Sequence, residues 1–129
     1  MNDKLIKSTF CWNELATPNV KAAKEFYGNA FGWTFTDHSM DGTTYTMIKH
    51  GDKEFAGMWE IPDDQIDDIP PHWMSYILVN NLKESLEKIQ KLGAAIKVPI
   101  KKAGDFGQFA IITDPTGANI AIWESSQSC

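Results

Sequence analysis

Glu14 is the side chain in this sequence with the clearest capacity for chemistry. It stands in an apolar run, Ser8-Thr-Phe-Cys-Trp-Asn-Glu-Leu15, that reads as a strand. Phe10, Trp12 and Glu14 then share one face, and Cys11, Asn13 and Leu15 the other. An unpaired carboxylate on an apolar face is costly. Burial raises its pKa, which would poise it as a general acid or base, or let it hold a cationic ligand. The bland alternative is that Glu14 pairs with a backbone amide, Tyr76 or a lysine and simply ties two modules of the chain together. Among the five tryptophans, Trp12 and Trp123 are the candidates for ligand contact through stacking or cation–π attraction. Trp33, just after a helix, reads as core.

Other chemistry is sparse. His38, His50 and His72 fall at strand ends or in turns and read as exposed or locally hydrogen-bonded imidazoles. Cys11 lies in the apolar strand and Cys129 is the last residue, so no structural disulfide is expected and the usage suits a reducing cytoplasm. Gly104-Asp-Phe-Gly107 spells a kinase-like tripeptide, but without a glycine-rich ATP loop it reads as a turn before a strand. No nucleophile elbow, phosphate-binding loop, dinucleotide fingerprint or Ser/His/Asp set is present. A net charge of −5 argues against nucleic acid, which needs clustered Lys and Arg. No apolar run approaches the ~20 residues that cross a bilayer, and residues 1–7 lack a secretory apolar segment.

The elements that must position Glu14 are written twice. Glu14–Tyr27 can be laid over Tyr76–Ile89, about 62 residues later, without a gap. Each copy is an apolar strand, a helix start and an amphipathic helix ending at a glycine, Gly32 or Gly93. Thr17-Pro18 predicts the first helix start, with Thr17 as N-cap, and Val20, Ala23, Phe26, Tyr27 and Ala30 its apolar face. Asn81 with Glu84 suggests a capping box, and Leu82, Leu86, Ile89 and Leu92 the second buried face. Strands are expected at 33–37, 43–49 and 54–60 around an Asp41-Gly42 turn. In the second copy they fall at 73–79, 95–98, 106–113 and 118–124. Residues 1–129 thus form one domain: module one 8–60, a Pro/Asp-rich linker 61–71, and module two 72–124. The class is α+β, two βαβββ modules forming a curved mixed sheet around a shared cleft.

Trp12-Asn-Glu-Leu15, Asn19-Val20 through Phe26-Tyr27, Phe31-Gly-Trp33 and Asp114-Pro-Thr-Gly117 leading into Ile122-Trp-Glu124 resemble the vicinal oxygen chelate superfamily. That family includes glyoxalase I, bleomycin-resistance proteins and extradiol dioxygenases. The resemblance, closest to the glyoxalase-like branch, runs from about Ser8 to Glu124. Its metal-dependent members place His, Glu or Gln on the first and fourth strands of each module. Those positions map onto Trp12, Met58, Met74 and Ala121, none of which ligates a divalent ion. A slip of two residues would offer Glu14 and Glu60, with Tyr76 and Trp123. The expectation is no metal and no cofactor.

What remains is an aromatic ligand-binding face of Trp12, Met58, Met74, Tyr76 and Trp123, with Trp59 or Trp73 near the mouth and Glu14 as its acid/base or charge. The expectation is a cytoplasmic, metal-free protein with neither nucleic acid nor membrane as partner, and the resemblance implies that it binds a small hydrophobic or cationic molecule as a homodimer. One alternative is a glyoxalase I-like lyase with Glu14 as base and a metal in an unusual register. Another is an interaction module whose cleft its own side chains fill.

Overall fold

Two asparagines at matching places in the repeat start the two α-helices among the described residues. The computed structural model describes residues 7–40 and 42–126; Asp41 of the predicted turn and Cys129 lie outside them. Helix α1 is Val20–Phe31 and α2 is Leu82–Lys91. Asn19 Oδ1 accepts the Ala22 amide at 2.9 Å, and Asn81 Oδ1 accepts the Glu84 amide at 3.0 Å. Each side chain thereby satisfies one of the orphan amides of a helix start. The first cap is therefore Asn19, not Thr17. Thr17 ends the preceding strand, and its Oγ1 accepts the Asn19 amide at 3.2 Å.

The strands are β1 Phe10–Thr17, β2 Thr34–Met40, β3 Thr43–His50 and β4 Lys53–Glu60, then β5 His72–Leu78, β6 Ala95–Ala103, β7 Gly107–Thr113 and β8 Asn119–Ser125. A single 3₁₀ turn, Asp63–Gln65, interrupts the linker. The fold is α+β, with the two βαβββ modules read from the sequence.

The chain divides into two compact units. The first is Trp12–Met74, in strand order β2-β3-β4-β1. Strands β1 and β4 run parallel and the other pairs antiparallel. Leu15, Ile48, Ala56 and Met58 are buried together, with Val20, Ala23 and Tyr27 of α1 and Trp33, Phe35 and Phe55 packed on them. Burial of a side chain such as Met58 contributes about 1.5–3 kcal/mol. Phe26, expected on this face, is instead 61% exposed. At α1's end Gly32 takes a left-handed φ of 74° and donates its amide to the Gly28 carbonyl at 3.0 Å, a conformation that glycine adopts without penalty. The linker belongs to this unit because Ile61 is buried and its amide bonds the Thr17 carbonyl at 2.8 Å.

The second unit holds residues 7–11 and 75–126 of those described, with strand order β5-β8-β7-β6. Leu82 and Leu86 of α2 cover Ala110, Ile112 and Ile122, flanked by Ile77, Val79, Ile89 and Ile96. Leu92 lies past the helix end and is exposed, unlike the sequence expectation. The Asp114-Pro-Thr-Gly117 turn is built on one oxygen: Asp114 Oδ1 accepts from the Thr116 hydroxyl and amide and from the Ala118 amide. That motif of the family resemblance is thus a turn device joining β7 to β8.

Candidate functional site

The pairing of β1 with β4 decides which side chains share a face. Glu14 lies opposite Gly57, and Leu15 opposite Met58. Met58 therefore sits beneath α1 with Leu15, fully buried, on the face opposite Glu14. Its expected place beside Trp12 is corrected. The sequence could not reveal this, because Ala56, Gly57 and Met58 are all buried and show no polar–apolar alternation. Glu60, the second carboxylate of a slipped register, also leaves Glu14's face. It lies opposite Thr17, and its Oε1 accepts the Val20 amide at 3.0 Å, completing the cap of α1.

On Glu14's face the structure builds a three-residue polar chain. The Trp12 indole Nε1–H donates to the Tyr45 hydroxyl at 3.0 Å, and that hydroxyl donates to Glu14 Oε2 at 2.7 Å. A donor to a carboxylate makes the stronger of the two bonds. Burial first, and then the Glu14 charge beside it, push the Tyr45 phenol far above the ordinary tyrosine value, so it remains a neutral donor. Met47 pairs with Gly57, and His38 pairs with Tyr45 across β2 and β3. An exposed imidazole therefore stands on the same face.

Sequence reasoning missed Tyr45, treating it only as part of a strand. Two signals pointed to it. A buried tyrosine needs a partner for its hydroxyl, and a glycine inside a strand, here Gly57, marks a close approach by something else.

Tyr76, 6% exposed, has its ring 6.1 Å from Phe109 and 6.3 Å from Trp123. These three form an aromatic group in the second unit, in which Gly107 leaves room for the Trp123 ring. Met74 is buried in β5. Trp73 donates its indole N–H to the Tyr27 hydroxyl at 3.2 Å, and Trp33 stacks on Tyr27 with centroids 5.2 Å apart. Both serve the α1 side of the first unit. His72 Nδ1 lies 2.7 Å from the Pro70 carbonyl oxygen, and His50 is exposed at the end of β3. Within the first unit Trp12 and Glu14 come together on one face and Met58 lies on the other, and within the second unit Tyr76 and Trp123 come together. Cys11 is a half-buried thiol whose pKa burial pushes up to about 11.

Within the first unit the Glu14 carboxylate meets the Tyr45 phenol, itself bonded to the Trp12 indole, and lies opposite Gly57 in the neighbouring strand. Among the described residues no group of three or more His, Cys, Asp and Glu comes together. A surface recess of about 410 Å³ lined by Asp37, Glu60, Thr43, Thr44, Thr46 and Val20 is no substitute. Asp37 already bonds Lys24 and Thr46, and Glu60 caps α1. No helix among the described residues is long and apolar enough to cross a membrane.

Comparison with known proteins extends the description. The model of the Glyoxalase/Bleomycin resistance protein/Dioxygenase superfamily matches residues 9–122. CFP32 of Mycobacterium tuberculosis, named as a candidate glyoxylase, is 31% identical over 118 residues, covering 90% of this chain and 45% of that protein. The anthracycline biosynthesis protein DauV of Streptomyces sp. (strain C5) is 28% identical over 125 residues, covering 87% of this chain and 45% of its own length. The chain thus spans less than half the length of these relatives. Methylmalonyl-CoA epimerase from Mycobacterium tuberculosis superposes with a TM-score of 0.64 at 12% identity, covering 98% of this chain and 94% of that one, a likeness of fold.

Proposed function

This chain belongs to the Glyoxalase/Bleomycin resistance protein/Dioxygenase superfamily, and from that premise we propose that it binds a small hydrophobic or cationic molecule. The binding surface in this reading is the face of the first module that carries Trp12, Tyr45 and Glu14, and no metal of the protein's own takes part. One observation carries the proposal: a carboxylate held by a phenol that is itself held by an indole. Two aromatic π-systems beside a fixed negative charge suit an organic cation or a planar ring system. The relative named for anthracycline biosynthesis favours a planar aromatic ligand. The reading takes the protein as a cytoplasmic homodimer.

The test is a fluorescence titration with doxorubicin, a planar aromatic that carries an ammonium group. Trp12→Ala is expected to weaken binding about tenfold or more, the scale of one desolvated cation–π contact, with the melting temperature held within a few degrees. Glu14→Gln should weaken the cation but not its uncharged aglycone. Unchanged affinity in both variants overturns the proposal. Elemental analysis of protein purified without chelator tests its metal-free part, and a stoichiometric divalent ion refutes that part.

A second reading is a glyoxalase-like lyase with Glu14 as proton acceptor. It is favoured by the orientation that Tyr45 imposes on the carboxylate and by the relative's name. In that case Glu14→Gln abolishes turnover of the methylglyoxal–glutathione hemithioacetal and leaves the melting temperature nearly intact. Absence of turnover by the unaltered protein removes this reading.

A further inference from the structure

Gly57 sits in the middle of β4 with no backbone reason to be glycine. Its φ is not among the positive values found at the turn and cap glycines, so any L-residue could adopt its conformation. A strand-interior glycine sacrifices rigidity and packing. The explanation lies above it. A Cβ built on Gly57 would run into the Tyr45 phenol, overlapping its hydroxyl and Cζ and coming within 2.7 Å of Cε2. In register Gly57 lies between Glu14 on β1 and Met47 on β3. Tyr45 precedes Met47 by two residues and so shares its face. Its ring therefore crosses β4 diagonally, over the bare Cα, to bring its hydroxyl 2.7 Å from Glu14.

We propose that Gly57 is a positioning residue: the missing side chain is the seat of the Tyr45 ring, and through Tyr45 it fixes both Trp12 and Glu14. The inference rests on the binding face proposed above only in giving the seat a use. It also states what orders that face. The β4 position opposite Glu14 offers no donor atom of its own, and the Tyr45 hydroxyl occupies the space above it.

The experiment combines Gly57→Ala and Tyr45→Ala singly and together, with Tyr45→Phe as reference. The readouts are the NMR resonance of the Trp12 indole N–H, the melting temperature and doxorubicin affinity. Gly57→Ala is expected to shift the Trp12 indole resonance as Tyr45→Phe does, and to lower the melting temperature. In the Tyr45→Ala background, where the seat is vacant, Gly57→Ala should leave the melting temperature unchanged or raise it. A reversal of this kind does not come from a glycine needed for its backbone alone. An equal drop in both backgrounds, or an unmoved Trp12 resonance in Gly57→Ala, overturns the proposal. Doxorubicin affinity is judged separately. If the unaltered protein does not bind it, the binding-face reading fails while the seat is still decided by the resonance and the melting temperatures. If it does bind, Gly57→Ala should weaken binding by about as much as Tyr45→Ala does.

Discussion

Tyr45→Phe removes a single oxygen and with it two hydrogen bonds, which makes its cost a direct measure of the polar chain on β1 and β3. The Trp12 bond is a neutral N–H···O contact at 3.0 Å, worth about 0.5–1.5 kcal/mol net. The bond to Glu14 Oε2 at 2.7 Å ends on a charged acceptor, worth about 1.5–3 kcal/mol. Trp12, Tyr45 and Glu14 are half-buried rather than sealed, so the lower ends apply, and the sum is about 2–3 kcal/mol. With a urea slope of roughly 1.5 kcal/mol/M for a domain of this size, the unfolding midpoint should fall by about 1.3–2 M. The same substitution on a Glu14→Ala background loses only the Trp12 bond, about 1 kcal/mol, leaving a coupling of about 1–2 kcal/mol between the two positions. The pH dependence adds a second handle. The buried phenol resists ionisation, whereas the unfolded tyrosine titrates near 10.0. Its contribution is therefore complete below that pH and is lost as pH rises beyond it, and the Phe variant should lack this alkaline decline. A cost under about 0.5 kcal/mol in both backgrounds, with additive behaviour, refutes the chain as a cooperating unit.

The Asp37 carboxyl is held below its usual value first by the Thr46 hydroxyl at 2.6 Å and then by Lys24 at 3.0 Å. A depressed carboxyl stabilises the fold above the unfolded pKa and loses that contribution as pH falls through the folded one. Urea unfolding between about pH 5 and pH 2 should therefore show a flatter acid limb for Thr46→Val than for the parent, and superimposable limbs refute the link. Burial pushes the Cys11 thiol from 9.0 to about 11, so at pH 8 it holds about 100-fold less thiolate than an unfolded thiol. In a Cys129→Ser chain, maleimide should label native Cys11 about 100-fold more slowly than urea-unfolded Cys11; rates within a factor of about five contradict the burial argument.

The alternation of Thr43–Lys49, the glycines at helix ends and the repeated strand–helix pattern were enough to read both modules from the residues. They fail where two groups compete for one role. Thr17 and Asn19 both suit a helix cap, and the strand claims Thr17 because β1 pairs with β4 as far as Glu60. They fail again where a strand is buried on both sides. Ala56-Gly57-Met58 carries no mark of which side chain faces α1, so the residues alone put Met58 with Trp12, whereas its pairing with Leu15 puts it beneath α1. The site was half legible for a related reason. Trp12 and Glu14 lie two residues apart on one strand, so their shared face follows from local geometry. Tyr45 joins them from a residue separation of 31, and only its own hydroxyl and the bare Gly57 signal that approach.

The carboxylates at the ends of β4 and β8 bear on how the chain emerges from synthesis. Glu60 accepts the first amide of α1 and Glu124 the first amide of α2, across separations of 40 and 42 residues. Each helix therefore waits for the last strand of its own module before its leading turn is complete, and neither draws that group from the other module. A nascent chain can close its first helix cap once residue 60 has left the ribosome, while module two is still incomplete. Duplication of such a self-closing unit adds no longer-range closure to either cap, so the loop entropy of each stays that of a chain half as long.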